Sequence, residues 1–320
     1  MAGSSSASAL AGKLGKPARF LVGLGGSDPS AIMSQSITPD FFEDYLVGVG
    51  AGDWTTWNSP SGDYANVVAS KADSVGAVPM LTLYQMAQNG DGNITDITDP
   101  TFMSPYWANV VLLFQRLAIY GKPALVHFEP DFWGYTEQKS PGGDPTMLPA
   151  KVSIAADCAN LPDNVSGLGH CLVQIARKYA PKAYVGFSPS TWGGGSDSDV
   201  AAYMKNIGAG EADFVVIQTL DRDSGCFEAM TEADCKRAGS GWYWDETNAT
   251  HPNFQDHLAS AKTYHDALNL PLVWWQTPLG VPSTTPGGTT NHYRDNRVHY
   301  FLTHPSELVA AGGLGAVFGA

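Results

Sequence analysis

Short apolar runs rich in Val, Ile, Leu and Phe recur along the chain, and most are followed by a stretch whose apolar positions repeat at helical spacing. The runs are Phe20–Leu24, Tyr45–Val49, Val78–Met86, Ala124–Phe128, Ala183–Phe187, Phe214–Leu220, Leu272–Gln276 and Gly315–Phe318. Helix-like stretches fall near Tyr64–Val75, Pro105–Tyr120, Leu172–Tyr179, Asp199–Ile207 and Phe254–Leu268, with a last one over Arg294–Ala311 broken at Pro305. Strands alternating with helices call for a parallel sheet covered by helices. Eight such units predict an α/β fold of the (β/α)8 TIM-barrel type in a single domain. The rival, a doubly wound open sheet, lacks its fingerprint, because Gly23-Leu24-Gly25-Gly26 has the wrong spacing for a dinucleotide loop.

Residues 1–17 read as an N-terminal extension and 18–320 as the barrel, taken as the catalytic domain. The eighth run lies at the end of the sequence, so the eighth helix is expected to be missing or replaced by the N-terminal segment Ser6–Leu14, lying against the barrel's amino-terminal end. The longest irregular stretch, Gly134–Pro162, reads as a strand-end loop.

Composition narrows the function. Of 320 residues 43% are apolar, enough for a sizeable core, and the formal charge is −13. Nucleic acids and anionic membranes need concentrated Lys and Arg, so neither is an expected partner. No run is long and apolar enough to span a bilayer. A neutral substrate and a monomer without cofactor are expected. Three Asn-x-Ser/Thr sequons, at Asn93, Asn164 and Asn248, suggest a secreted form whose signal has been removed. Four cysteines fall in two close pairs, Cys158 with Cys171 and Cys226 with Cys235. Three connectivities are open; local pairing is favoured because each pair lies within one excursion from the core.

In such barrels the chemistry sits at the carboxyl ends of the strands. The second run leads to Asp53, Trp54 and Trp57, the third to Tyr84, and the fourth to His127, Glu129, Asp131, Trp133 and Tyr135. Trp192 follows the fifth, Asp221 and Asp223 the sixth, and Trp274 and Gln276 belong to the seventh. Trp54, Trp57, Trp133, Trp192, Trp274, Trp275 and, less closely, Trp242 make seven of the nine tryptophans at or just beyond strand ends. Aromatic faces suit the apolar faces of sugar rings while polar neighbours take the hydroxyls. The alternative is that these rings simply pack the loop layer. Alternation puts His127, Glu129 and Asp131 on one face of the fourth strand. A carboxyl held in a desolvated mouth has a raised pKa and suits a general acid, which makes Glu129 the first catalytic candidate. Asp221 and Asp131 are candidates for the second carboxylate that glycoside cleavage requires.

The Glu129 segment resembles the barrel glycoside hydrolases, clan A most. In that clan the acid/base is a Glu at the end of strand four and the nucleophile a Glu at the end of strand seven. Glu129 matches the first place, whereas Gln276 in Trp274-Trp275-Gln276-Thr277-Pro278 stands at the second, and Phe128 stands where the clan has Asn. Glu129-Pro130-Asp131 also looks like a segment of the inverting cellulases of family six. The strand-four Asp-x-Asp-x-Glu of family-eighteen chitinases is absent. The resemblance implies a glycoside hydrolase on a neutral glycan; without a carboxylate at Gln276, inversion is favoured over substrate assistance. Two rivals are a sugar-binding barrel without catalysis, which Gln276 favours, and a metal hydrolase on His127-x-Glu129-x-Asp131, which lacks a His-Glu-x-x-His pattern.

Overall fold

The computed structural model describes residues 4–26, 28–219, 244–278 and 296–319. Eight parallel strands close into a barrel in chain order: β1 (Leu21–Gly25), β2 (Phe41–Val47), β3 (Val78–Tyr84), β4 (Ala124–Phe128), β5 (Ala183–Phe187), β6 (Phe214–Gln218), β7 (Leu272–Thr277) and β8 (Gly313–Phe318). Closure is made by β1 on β8, from Leu21 opposite Gly315 to Leu24 opposite Phe318. The fold is the expected TIM barrel.

Among the described residues the helices are α1 (Ser4–Lys13), α2 (Pro29–Ser34), α3 (Tyr64–Ser74), α4 (Pro100–Tyr120), α5 (Phe132–Lys139), α6 (Val165–Tyr179), α7 (Asp197–Asn206), α8 (Phe254–Leu268), α9 (Arg297–Thr303) and α10 (Pro305–Ala310). Their starts are written in the sequence. Asp99 caps α4 by accepting from the Thr101 amide, and Asn253 and Asp256 form a reciprocal capping box on α8. Pro305 divides α9 from α10, as its missing N–H dictates.

One expectation needs correction. β2 starts at Phe41, not Tyr45. Phe41, Phe42 and Glu43 are all buried, and Asp40 anchors the entry by bonding the Val22 amide and both Arg19 guanidinium nitrogens. The acidic residues in this run hid the strand's first half. The N-terminal segment lies against the barrel's amino-terminal end, as expected. Ala7, Leu10, Ala11 and Leu14 of α1 join Leu21, Phe41, Val78, Leu125, Phe214 and Leu314 in one apolar cluster, closing the bore at its amino-terminal end. A second and larger cluster fills the shell between barrel and helices.

Cys158 and Cys171 form a disulfide that ties the turn before α6 to that helix. Cys226 and Cys235 lie outside the described residues. Among the described residues no helix is long and apolar enough to cross a membrane.

Candidate functional site

Alternation along the strands sets two populations of side chains. Odd-numbered positions of β2 and β4 and even-numbered positions of β3 enter the bore: Phe41, Val78, Met80 and Leu125 form its apolar lower part. One layer up stand Glu43, Thr82 and His127, with Trp275 reaching in from β7. The Trp275 indole Nε1 lies 3.4 Å from Glu43 Oε1, and the His127 and Trp275 rings meet edge to face at 4.8 Å. A β-carbon on Gly25, the register partner of Glu43, would come within 2.7 Å of Glu43 Oε2, so the glycine makes room for the carboxyl. Burial pushes the Glu43 carboxyl up to about 7, against hydrogen bonds from Thr82 and Trp275 that favour its ionised form. Burial also drives His127 down to about 3, so the imidazole is neutral, and its Nε2 has no partner.

The top layer closes this chamber. The Gln276 amide donates to the Tyr45 hydroxyl at 2.5 Å, joining β7 to β2 across the bore. Tyr45 packs on Trp275 and Tyr84, with centroids 5.9 and 6.3 Å away. Gln276 has φ of 49°, a left-handed conformation that costs a non-glycine residue about 1–3 kcal/mol and tends to mark functional sites.

Beside this roof a cleft of about 230 Å³, open solvent included, lies between the β3 and β4 loops. Asp91, Asn93, Asp131 and Tyr135 line it. The Tyr84 hydroxyl donates to Asp91 at 2.5 Å. Burial first, then the charges of Asp91 and Asp131, raise the pKa of both Tyr84 and Tyr135, so the two carboxylates act on the same two phenols. Trp192 packs against Tyr135, with centroids 4.6 Å apart.

Glu129 is placed differently from expectation. Its φ of 49°, followed by 65° at Asp131, breaks the alternation at the strand end. The side chain turns to the end of β3, where Oε2 accepts from the Gln85 and Met86 amides at 2.9 Å each, and to Tyr106 of α4. None of it is exposed. Burial pushes it up to about 8, with the two amides and the Tyr106 hydroxyl pulling the other way. His127, Glu129 and Asp131 therefore do not converge, and among the described residues no three His, Cys, Asp or Glu side chains could hold a metal ion.

Three tryptophans expected at the mouth are core residues. Trp54 donates to Gln85, Trp133 to the Phe128 carbonyl and Trp274 to His257, and none is exposed. Their indole N–H groups find partners inside, which is what a buried Trp needs. Asp53 caps a turn instead of lining the mouth: it accepts from the Gly50 and Thr55 amides and from Asn109. Trp57 is 43% exposed and packs on Tyr64, on the β2–α3 loop. Asp221, Asp223 and Trp242 lie outside the described residues. The sequence reading missed Glu43, Tyr45 and Asp91. The first two would have emerged from alternation had β2 been started at Phe41; Asp91, in a Gly-Asp-Gly turn, carries no such signal.

No family model matches the chain, and no curated protein sequence does. Solved structures do. An engineered protein aligns over 99% of this chain and 67% of its own, at 14% identity and a TM-score of 0.54. The Cellulomonas fimi endo-β-1,4-mannanase aligns over all of this chain and 69% of its own, at 12% identity and 0.51, and its double mutant over 99% and 68%, at 14% and 0.53. A D-allulose 3-epimerase from Methylomonas and a 2,3-dimethylmalate lyase also align, at TM-scores of 0.47 and 0.42. The chain spans about two thirds of the length of the mannanase structures. What the likeness to the engineered protein and the mannanase shows is the eight-stranded barrel.

Proposed function

We propose that this barrel is a glycoside hydrolase acting on a neutral glycan at the carboxyl-terminal mouth. The carrying observation is the cleft lined by Asp91, Asp131 and Tyr135, with Tyr84 bonded to Asp91 and Trp192 packed on Tyr135. Carboxylates flanked by rings are what a pyranose needs: rings take its apolar faces, and the carboxylates reach the anomeric carbon or its water. The net charge of −13 fits an uncharged substrate, and the mannanase frame supports the reading. Asp131 acts as the base that activates water, giving inversion; Glu129, sealed beneath the β3 end, serves the scaffold. Asp221 stands as a further candidate carboxylate outside the described residues. Residues 18–320 form the catalytic unit. The Cys158–Cys171 disulfide and the sequons support secretion.

A second reading, a glycan-binding barrel without catalysis, is favoured by one observation: the β7 end carries an amide, Gln276, bonded to Tyr45. One experiment separates them. Wild type and Asp131→Asn are incubated with β-1,4-mannan, β-1,4-glucan and xylan, scoring binding and release of reducing ends. The hydrolase reading expects release by wild type, inverted at the anomeric carbon by early proton NMR, and about 10²-fold less from the variant. Binding without release supports the second reading, and neither binding nor release overturns both.

A further inference from the structure

Cleavage by inversion needs one carboxyl that keeps its proton and one that has lost it. Asp91 and Asp131 line the part-open cleft, where water can reach them. Three carboxyls among the described residues are raised to about 7 or 8: Glu43, Glu129 and Glu137. Glu129 turns to the β3 end and α4. Glu137, on α5, lies against Gly193 and Gly194 of the β5–α7 loop, outside the bore. Glu43 alone of the three projects into the bore, from β2, one layer under Tyr45.

We propose that Glu43 is the proton donor of this site, reached when substrate lifts the Tyr45–Gln276 cover. This rests on the hydrolase reading. The geometry carries it: a carboxyl that is 1% exposed stands at the barrel axis, accommodated by Gly25 and held by Trp275 across the bore. Among the described residues the groups facing it are Trp275, Thr82 and neutral His127, with Asp44 next in sequence, and none of these brings a positive charge that would strip the proton. In the step, the Glu43 proton passes to the glycosidic oxygen as that oxygen leaves with the bonding pair. Water adds to the anomeric carbon and gives its proton to Asp131. Exchange with solvent then returns a proton to Glu43 and removes one from Asp131. The Trp275 N–H and Thr82 hydroxyl stabilise the carboxylate left behind.

The test is Glu43→Gln in the full chain, assayed on an oligosaccharide and on the dinitrophenyl glycoside of the same sugar, whose leaving group needs no proton. The expected result is a loss of about 10²-fold or more on the oligosaccharide and less than about tenfold on the activated substrate. The alkaline limb of kcat/KM, falling near pH 7 in wild type, should disappear. Equal losses on both substrates, or an unimpaired oligosaccharide rate, overturn the assignment. Should Glu43→Gln not fold, Glu43→Asp decides: a slower enzyme that keeps the alkaline limb supports the donor, and an unchanged rate with no limb overturns it. A wild type that cleaves neither substrate overturns the hydrolase reading itself, a result distinct from all of these.

Discussion

Glu129 offers a test of whether a strand-four carboxyl works for catalysis or for the scaffold. Its pKa in the fold is about 8, against about 4.5 in the unfolded chain. As pH rises past 4.5 the unfolded chain releases this proton while the folded chain holds it until about 8, so the group's contribution to stability falls throughout that window. Each unit is worth about 1.36 kcal/mol, so at pH 7 the folded state bears at most about 3 kcal/mol for keeping Glu129 protonated. Glu129→Gln removes the titration and keeps the shape. The new amide oxygen can accept from the Gln85 and Met86 amides, and its nitrogen can donate to Tyr106, whose hydroxyl otherwise lacks a partner of good geometry. The variant should match wild type at pH 4 and exceed it by about 1–3 kcal/mol at pH 7, raising Tm by roughly 2–4 °C per kcal/mol. Urea titrations followed by circular dichroism at the two pH values measure this directly. A variant less stable at pH 7, or a gap independent of pH, would refute the buried-acid account.

Two further outcomes follow from the core. Replacing Cys158 and Cys171 together by Ala should cost about 3 kcal/mol in urea unfolding, the scale for a loop of this size, with the mouth's binding retained because the bridge ties the α6 approach. His127, buried and neutral, should show no imidazole titration in NMR between pH 5 and 8, unlike exposed His251, whose pairing with Asp256 raises its pKa.

The barrel was legible because period and length agree: eight short apolar runs separated by amphipathic stretches admit few other folds. The site was legible only where alternation holds. His127 enters the bore and Phe128 leaves it, as the pattern predicts, but the left-handed turn at Glu129 reverses the next side chain, and a backbone dihedral of that kind has no residue signature when the residue is not glycine. The tryptophans misled for a related reason. Their clustering at strand ends was real, yet Trp54, Trp133 and Trp274 enter the shell beneath the loops, where long apolar side chains are needed to support them. Glu43 was hidden by its own chemistry, because two adjacent acids read as a boundary when one of them is in fact inside.

The neighbouring pair Trp274 and Trp275 has an optical consequence. Successive residues of one strand, they occupy opposite sides of the same wall: Trp274 donates to His257 in the helix shell, and Trp275 faces Glu43 and His127 within the bore. Each indole is thus a fluorophore with its own quencher. The part of a ligand-induced emission change that is lost when Trp275 is replaced by Phe would report the inner chamber, against the other eight tryptophans as common background. The part lost when Trp274 is replaced instead would report the surrounding layer of helices, so two single-residue variants, each subtracted from wild type, read the two faces of the barrel wall separately.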